Sequence, residues 1–343
     1  MSSPTDPGQE HINGNGIHED AEANGSDDYD SEHLDSPSVV ELNSEDFPSY
    51  FREHDGRLFH SSSSPYPLPV DTPEQERFTL IHNLLRQFFG VNCIGPVVDV
   101  LNESQGRHRW ALDICTGNGK WVIDMAQEYP RVRFRGFDIV PIATRYPPRH
   151  VQFEVDDVNT RFRWSDSTFE LVNARAVAMA VLEYPQVLQE VARVLRPGGL
   201  FVSYEWAPYP AFDPSLQRDL AIYAPASFRF HDAINTALLQ RRGLHPIAAQ
   251  IPSFLASAGV FAEISAGQHY IPIGAWSADP SLQSIGTACL EANERYASSV
   301  KPLLCDSGWT DAEAESMLTD FIREIRTMNG LVSVLYTVHA RRV

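Results

Sequence analysis

From Arg109 onward, apolar residues along the chain alternate between two rhythms. Short runs of strand character, WALDIC, VRFRGFDI, VQFEVDDV, FELVNAR and LFVSYEW, are joined by segments such as KWVIDMAQEY and PQVLQEVARVL, whose apolar residues recur at helical spacing. The first of these helices is closed by Pro130, and the second ends at RPGG, a helix stop followed by a turn. Alternating β and α units with short connections predict a parallel sheet with helices on both faces. After Trp206 the pattern is helical, with an insertion expected from about Asp213 to Gly243. A helix around PSFLASAG then leads to a strand, FAEISAGQHYIPIG, and the C-terminal LVSVLYTVHARRV alternates as a last strand. The sum is an α/β protein with a seven-stranded sheet whose last pair is antiparallel.

Two segments precede the sheet. Between Phe47 and Pro73 the chain is rich in Pro, Ser and aromatics, which predicts an ordered arm with little regular structure packed on the main body, and the stretch from Tyr66 to Arg77 is expected to lid the ligand cleft. A helix then starts with Asp71 or Thr72 as cap, Pro73 in the first turn, and Glu74 and Glu76 near its positive end. Its apolar stripe is Phe78, Ile81, Leu84, Leu85 and Phe88. The expected division is an acidic tail over 1–46, an arm and helix over 47–109, and the sheet domain over 110–343.

Charge sharpens the first boundary. Of the net −18, residues 1–46 contribute thirteen Asp and Glu and no Lys or Arg, leaving −5 for all the rest. With few aliphatics to offset its ordering entropy, this tail is expected to be disordered. No basic patch points to nucleic acid. Cys93, Cys115, Cys289 and Cys305 have no spacing suited to zinc and fit a reducing interior, so no metal is expected. The start MSSPTDPGQE lacks the apolar run of a secretory signal, and no run of apolar residues is long enough to span a bilayer. The expected setting is intracellular, cytoplasmic or nuclear, with no membrane.

The candidate chemistry lies in LDICTGNGKW, where an apolar strand meets a glycine-rich turn and a helix. A dinucleotide fingerprint needs a third glycine where Val122 stands, and a P-loop needs Ser or Thr where Trp121 follows Gly119-Lys120. S-adenosylmethionine has no phosphate to cradle. It needs glycines that let the backbone approach its amino-acid end, an acid ending strand two for the ribose hydroxyls, and another after strand three for the adenine amino group. Asp113, Gly117 with Gly119, Asp138 and Asp157 stand in that strand order. Each aspartate alone reads equally as a turn-former or helix cap; together they point to this cofactor.

On these residues, with FRGFDI, FEVDDV and VARVLRPGGLFVSYEW, the sequence resembles the class I methyltransferases with their Rossmann-like sheet. Within them, GRLFHSSSSPYPLPVDTPEQER, GKWVIDMA, GFDIVPI and YPP resemble the fungal LaeA-like group, and the resemblance covers roughly residues 48–343. It implies a methyltransferase acting on a metabolite or protein acceptor in fungal secondary metabolism. It also implies an alternative, a nuclear regulator that works through partners such as velvet-domain proteins. Carried over by position, Asp113, Thr116, Gly117 and Gly119 would line the methionine moiety, with Asn173 facing the same end. Asp138 and Ile139 would flank ribose and adenine, and Asp157 and Val158 the adenine. Two departures stand out: Cys115 replaces the usual glycine, and Asn173 replaces a frequent histidine.

Transfer to a hydroxyl acceptor calls for a general base, whereas a carboxylate acceptor needs none. Glu205, Trp206 and His231 are the substrate-side candidates, and no catalytic base is assigned. Glu205 reads equally as a strand-end carboxylate held by an arginine, and Trp206, with Tyr209, as core or lid packing. His231 reads also as a helix cap or surface residue. Arg175 is expected to pair with a carboxylate.

Overall fold

The computed structural model describes residues 41–102 and 107–343. The acidic tail, up to residue 40, lies outside them.

The arm carries more regular structure than its composition suggests. Strands β1 (Phe51–His54) and β2 (Arg57–His60) form an antiparallel hairpin. Asp55 and Gly56 form its turn, with φ of 50° and 69°. An Asp-Gly pair at the tip of a two-residue hairpin is the local signal for this turn, because both positions need positive φ. Helix α1 (Thr72–Phe89) begins at Asp71, whose side chain accepts the Glu74 amide, and stops at Gly90 with φ 72°. The same Asp71 carboxylate binds Arg57 through both oxygens, at 2.6 and 3.0 Å, which ties the hairpin to the start of α1.

Past the short α2 (Val97–Leu101) comes the alternating region. It runs β3 (Arg109–Ile114), α3 (Lys120–Glu128), β4 (Val132–Asp138), β5 (Val151–Val155), β6 (Phe169–Arg175), α4 (Tyr184–Val194) and β7 (Leu195–Trp206). A two-residue β8 (Ala211–Phe212) precedes α5 (Leu220–Tyr223), α6 (Pro225–Ala237) and α7 (Ile251–Ala258). Then follow β9 (Phe261–Pro272), α8 (Pro280–Asp306), α9 (Asp311–Thr327) and β10 (Leu331–Arg342).

The principal strands order as β5-β4-β3-β6-β7-β10-β9, with β8 pairing at the start of β10. Strands β3 to β7 run parallel, and β10 is antiparallel to both β7 and β9. This is the expected seven-stranded sheet with an antiparallel end, plus one short strand. Its centre is Ala111, Leu112, Phe134, Leu171, Val172 and Leu200, none of them exposed. RPGG does not form a free turn after α4. Strand β7 starts at Leu195, and Arg196 to Gly199 bulge out of register between the pairs Phe169–Leu195 and Leu171–Leu200. The helical half has its own core, where Phe230 of α6 stacks on Phe321 of α9 with ring centroids 4.0 Å apart.

Strand order reverses direction at β3, which has β4 on one side and β6 on the other. Connections leaving β3 and β6 diverge there and open a crevice beyond the carboxyl ends of the strands. The glycine turn sits at that crevice.

Candidate functional site

The turn after β3 is built from left-handed residues. Cys115, Gly117 and Gly119 have φ of 52°, 57° and 74°. The value at Cys115 explains why glycine suits that position, since a side chain there carries strain of about 1 kcal/mol. A Cβ on Gly119 would lie 2.5 Å from the Phe153 ring, so this glycine lets α3 close against β5. Asn118 donates to the Gln75 carbonyl and the Thr79 hydroxyl, at 3.1 and 2.8 Å, fastening the turn to α1.

Beneath the turn lies a buried polar floor. Parallel register puts Asp113 beside Gly136 on β4 and Asn173 on β6. Its carboxylate accepts Thr116 Oγ1 and Asn173 Nδ2, each at 2.7 Å. Burial still pushes its pKa up. Arg175, ending β6, donates to His82 Nδ1 at 3.0 Å, and His82 Nε2 meets Asp124 at 2.9 Å. Since Nδ1 accepts, Nε2 carries the hydrogen. Burial, followed by the charge of Arg175, lowers His82 to about 4, so this ring is neutral. Arg175 is expected to pair with a carboxylate; its guanidinium forms no direct ion pair among the described residues, but the Asp113 carboxylate acts on it through space, and its Nε is buried without a partner.

Asp138 ends β4 with its carboxylate in the crevice, accepting the Gly117 amide at 2.8 Å. Burial outweighs that bond and those from the amides of Val140 and Ile139, raising its pKa to about 6. Beyond β5 the two acids differ. Asp157 accepts the amide and side chain of Asn159, both at 2.9 Å, and organises its own loop. Asp156, not Asp157, lines the crevice.

At the end of β7, Glu205 is 2% exposed. Two backbone amides hold it, not an arginine: Val177 and Ala178 donate to Oε1 at 2.7 and 3.2 Å. Ala176, with φ 54°, turns the chain so that both amides face the carboxylate. Burial lifts Glu205 to about 8. His231 is neither helix cap nor surface. It sits inside α6, its Nδ1 bonded to the Ser227 carbonyl at 2.8 Å, and burial lowers it to about 4.

One cavity of about 310 Å³ joins these groups. Asp113, Thr116, Gly117, Asp138, Ile139, Val158, Glu205, Trp206 and His231 line it; Gly119, Asn173 and Asp157 lie outside the lining. The stretch from Tyr66 to Arg77, expected to lid the cleft, does wall it through Tyr66 and Arg77, whereas sequence reasoning missed Phe78 and Ile81 of α1 and the loop from Leu244 to Ala248. Phe78 and Ile81 carried a helical stripe that reads as core. Arg77 forms a buried ion pair with Glu74 one turn earlier. Arm residues Tyr66, Leu68 and Val70 complete that wall.

This strand order with its antiparallel end, around a left-handed glycine turn, defines the class I methyltransferase fold. Residues 107–233 match the family described as a methyltransferase domain. The chain is 26% identical over 278 residues to the secondary metabolism regulator laeA of Coprinopsis cinerea, covering 80% of this chain and 69% of that one. It is 27% identical over 317 residues to methyltransferase pytC of Aspergillus terreus, covering 90% and 92%. Among solved structures it is similar to the phosphoethanolamine N-methyltransferase 2 of Haemonchus contortus bound to S-adenosyl-L-methionine. That match has a TM-score of 0.44 at 14% identity, covering 83% of this chain and 61% of the other. The chain carries a methyltransferase domain and is similar to the laeA and pytC proteins. It therefore acts on a methyl acceptor. Among the described residues, no helix is long and apolar enough to cross a membrane.

Proposed function

We propose that the chain methylates a small-molecule acceptor of fungal secondary metabolism, with the crevice at β3, β4 and β6 as its cofactor site. The observation that carries this is a complementary set of groups at one crevice. A glycine turn, the Asp138 carboxylate and the buried Arg175 guanidinium, whose Nε has no partner, all line the same cavity. In this reading Arg175 binds the cofactor's carboxylate, while Asp113 and Asn173 support the turn beneath its amino-acid end. The ribose hydroxyls donate to Asp138. Ile139 and Val158 sandwich the adenine, and the Asp156 carboxylate, rather than the expected Asp157, serves its amino group. The cofactor supplies an electrophilic sulfonium methyl. What remains for the protein is alignment and exclusion of water. The arm and α1 serve both by walling the crevice, within the same three-part division of tail, arm and domain expected above.

Regulation through partner proteins, velvet-type partners among them, is the second reading, and the names of the laeA relatives favour it. The cavity's continuation past Glu205 and Trp206 into the helical half favours turnover, because a pure scaffold needs no acceptor space. The test is calorimetric titration with S-adenosylhomocysteine. Two bonds to a charged group, less than additive, make Asp138→Ala about ten- to a few hundred-fold weaker. Affinity of the parent should also fall as pH drops through about 6, where Asp138 takes up its proton. An alanine variant that binds as tightly as the parent removes Asp138 from the site.

A further inference from the structure

The charged groups that line the cavity come from α1 and from the ends of the strands. Arg77 stands on α1, and Asp113, Asp138, Asp156, Arg175 and Glu205 stand at or just past the carboxyl ends of strands. The far lobe lies between α6, α8, β10 and the loop 244–248. Its lining holds no Asp, Glu, Lys or Arg and includes Ile234, Leu238, Ile247 and Leu335. His245 is exposed at the rim.

Most polar side chains of this lobe are occupied by the protein. Asn235 Nδ2 donates to the Pro208 carbonyl at 3.0 Å, and Asn293 Nδ2 to the Cys289 carbonyl at 2.8 Å. Tyr209 donates its hydroxyl to Asp232 at 3.0 Å. His231 differs. A carbonyl can only accept, so its Nδ1 carries the hydrogen and donates to Ser227. Nε2 is left with its lone pair and has no hydrogen-bond partner among the described residues. Phe230, Phe321 and Tyr209 surround the ring, at centroid distances of 5.1, 5.4 and 6.5 Å. An aromatic shell with no carboxylate keeps the imidazole neutral, and its Nε2 is an acceptor in a lining that also carries the Tyr296 hydroxyl and the side-chain amides of Asn235 and Asn293.

We infer that the methyl acceptor is a neutral, mainly apolar small molecule bearing a hydroxyl group, whose O–H donates to His231 Nε2. The inference rests on the methyltransferase reading above and specifies its substrate. A lysine or arginine side chain would bury a cation in a lobe whose lining has no carboxylate, and for a carboxylate acceptor the nearby Arg77, over the Tyr296 ring of α8, is already paired with Glu74. The wall of arm and α1 further disfavours an extended peptide. On transfer, the hydroxyl oxygen gains the methyl as its O–H bond breaks. The proton passes to Nε2, and the electron pair of the broken C–S bond stays on sulfur.

The experiment uses the full chain saturated with S-adenosylhomocysteine and titrates four probes: 1-naphthol, 1-methoxynaphthalene, 1-naphthoate and an unstructured lysine-rich peptide. Methoxynaphthalene keeps the shape of naphthol and removes its donor. One hydrogen bond predicts about fivefold tighter binding of naphthol than of the methyl ether, with naphthoate and the peptide weaker still. His231→Leu should abolish the naphthol preference while leaving the ether and S-adenosylhomocysteine within about twofold, and His231→Gln, which keeps an acceptor, should restore part of it. The inference is overturned if naphthoate or the peptide binds best, or if none of the probes binds. Equal affinity of the parent for naphthol and its ether overturns it too, and this measurement needs no variant. So does a His231→Leu variant that weakens both naphthalenes alike, which would mark a structural residue. A parent that fails to bind S-adenosylhomocysteine sinks the cofactor reading instead, and its own titration shows this separately.

Discussion

Glu205→Gln is the sharpest test of the electrostatics of the crevice. Burial lifts this carboxyl from its ordinary 4.5 to about 8, opposed only by the amides of Val177 and Ala178. In the unfolded chain the group loses its proton near the ordinary value; in the folded protein it keeps that proton until about pH 8. Across this window the folded state binds more protons, so the stability contribution is complete below 4.5 and is lost as pH rises. At about 1.36 kcal/mol per unit, and allowing for rounding at both ends, the loss between pH 5 and pH 8 is about 3 kcal/mol. Glutamine keeps an Oε1 that can accept both amides and has no proton to lose. It should match the parent within about 1 kcal/mol at pH 5 and exceed it by about 3 kcal/mol at pH 8, or about 4 °C in Tm for a chain of this size. His82 and His231, both lowered to about 4, titrate below the window and are common to both proteins. Thermal melts followed by circular dichroism at pH 5, 6.5 and 8 are the assay. If the two curves stay parallel across that range, Glu205 is already ionised in the folded protein and the burial argument is wrong.

Two further predictions follow from the floor of the crevice. Arg175→Gln should weaken S-adenosylhomocysteine about tenfold or more, as expected for a charged hydrogen bond, and leave 5′-methylthioadenosine, which lacks the amino-acid end, almost unaffected; equal losses for both ligands would mark a structural role. At Cys115, with φ 52°, a β-branched side chain meets a backbone it rarely adopts. Cys115→Val should lose about 2 kcal/mol, whereas Cys115→Gly should stay within about 1 kcal/mol of the parent, its relieved strain offset by chain entropy. Urea melts in which valine is no worse than glycine would contradict the strain at this turn.

Local pattern determined most of the architecture. Period-two and helical spacing marked β3 to β7 with α3 and α4 between them, because each element must bury one face and its apolar positions repeat accordingly. Turn chemistry marked the glycine loop, since few residues accept left-handed backbone. The cap and first turn of α1 were readable for the same local reason, and the Asp55-Gly56 hairpin was readable too but missed. Strand-end acids could be nominated by order along the chain. Their use could not: Asp138 and Asp156 line the cavity while Asp157 is spent on Asn159, and one residue of offset decides which carboxylate faces the crevice. Groups governed by distant neighbours stayed hidden. Arg175 donates to His82, 93 positions away in sequence, rather than to a carboxylate. Glu205 is held by amides that exist as a pair only because β6 ends beside β7 and Ala176 turns there. His231 reads as a helix cap or surface residue until α6 packs on α9 and sets its ring against Phe321. Sequence alone determined the elements and the cofactor's motif, because those depend on neighbours along the chain. The protonation states, the unpaired groups and the shape of the acceptor lobe were decided by tertiary structure, because burial and charge depend on what folding brings near.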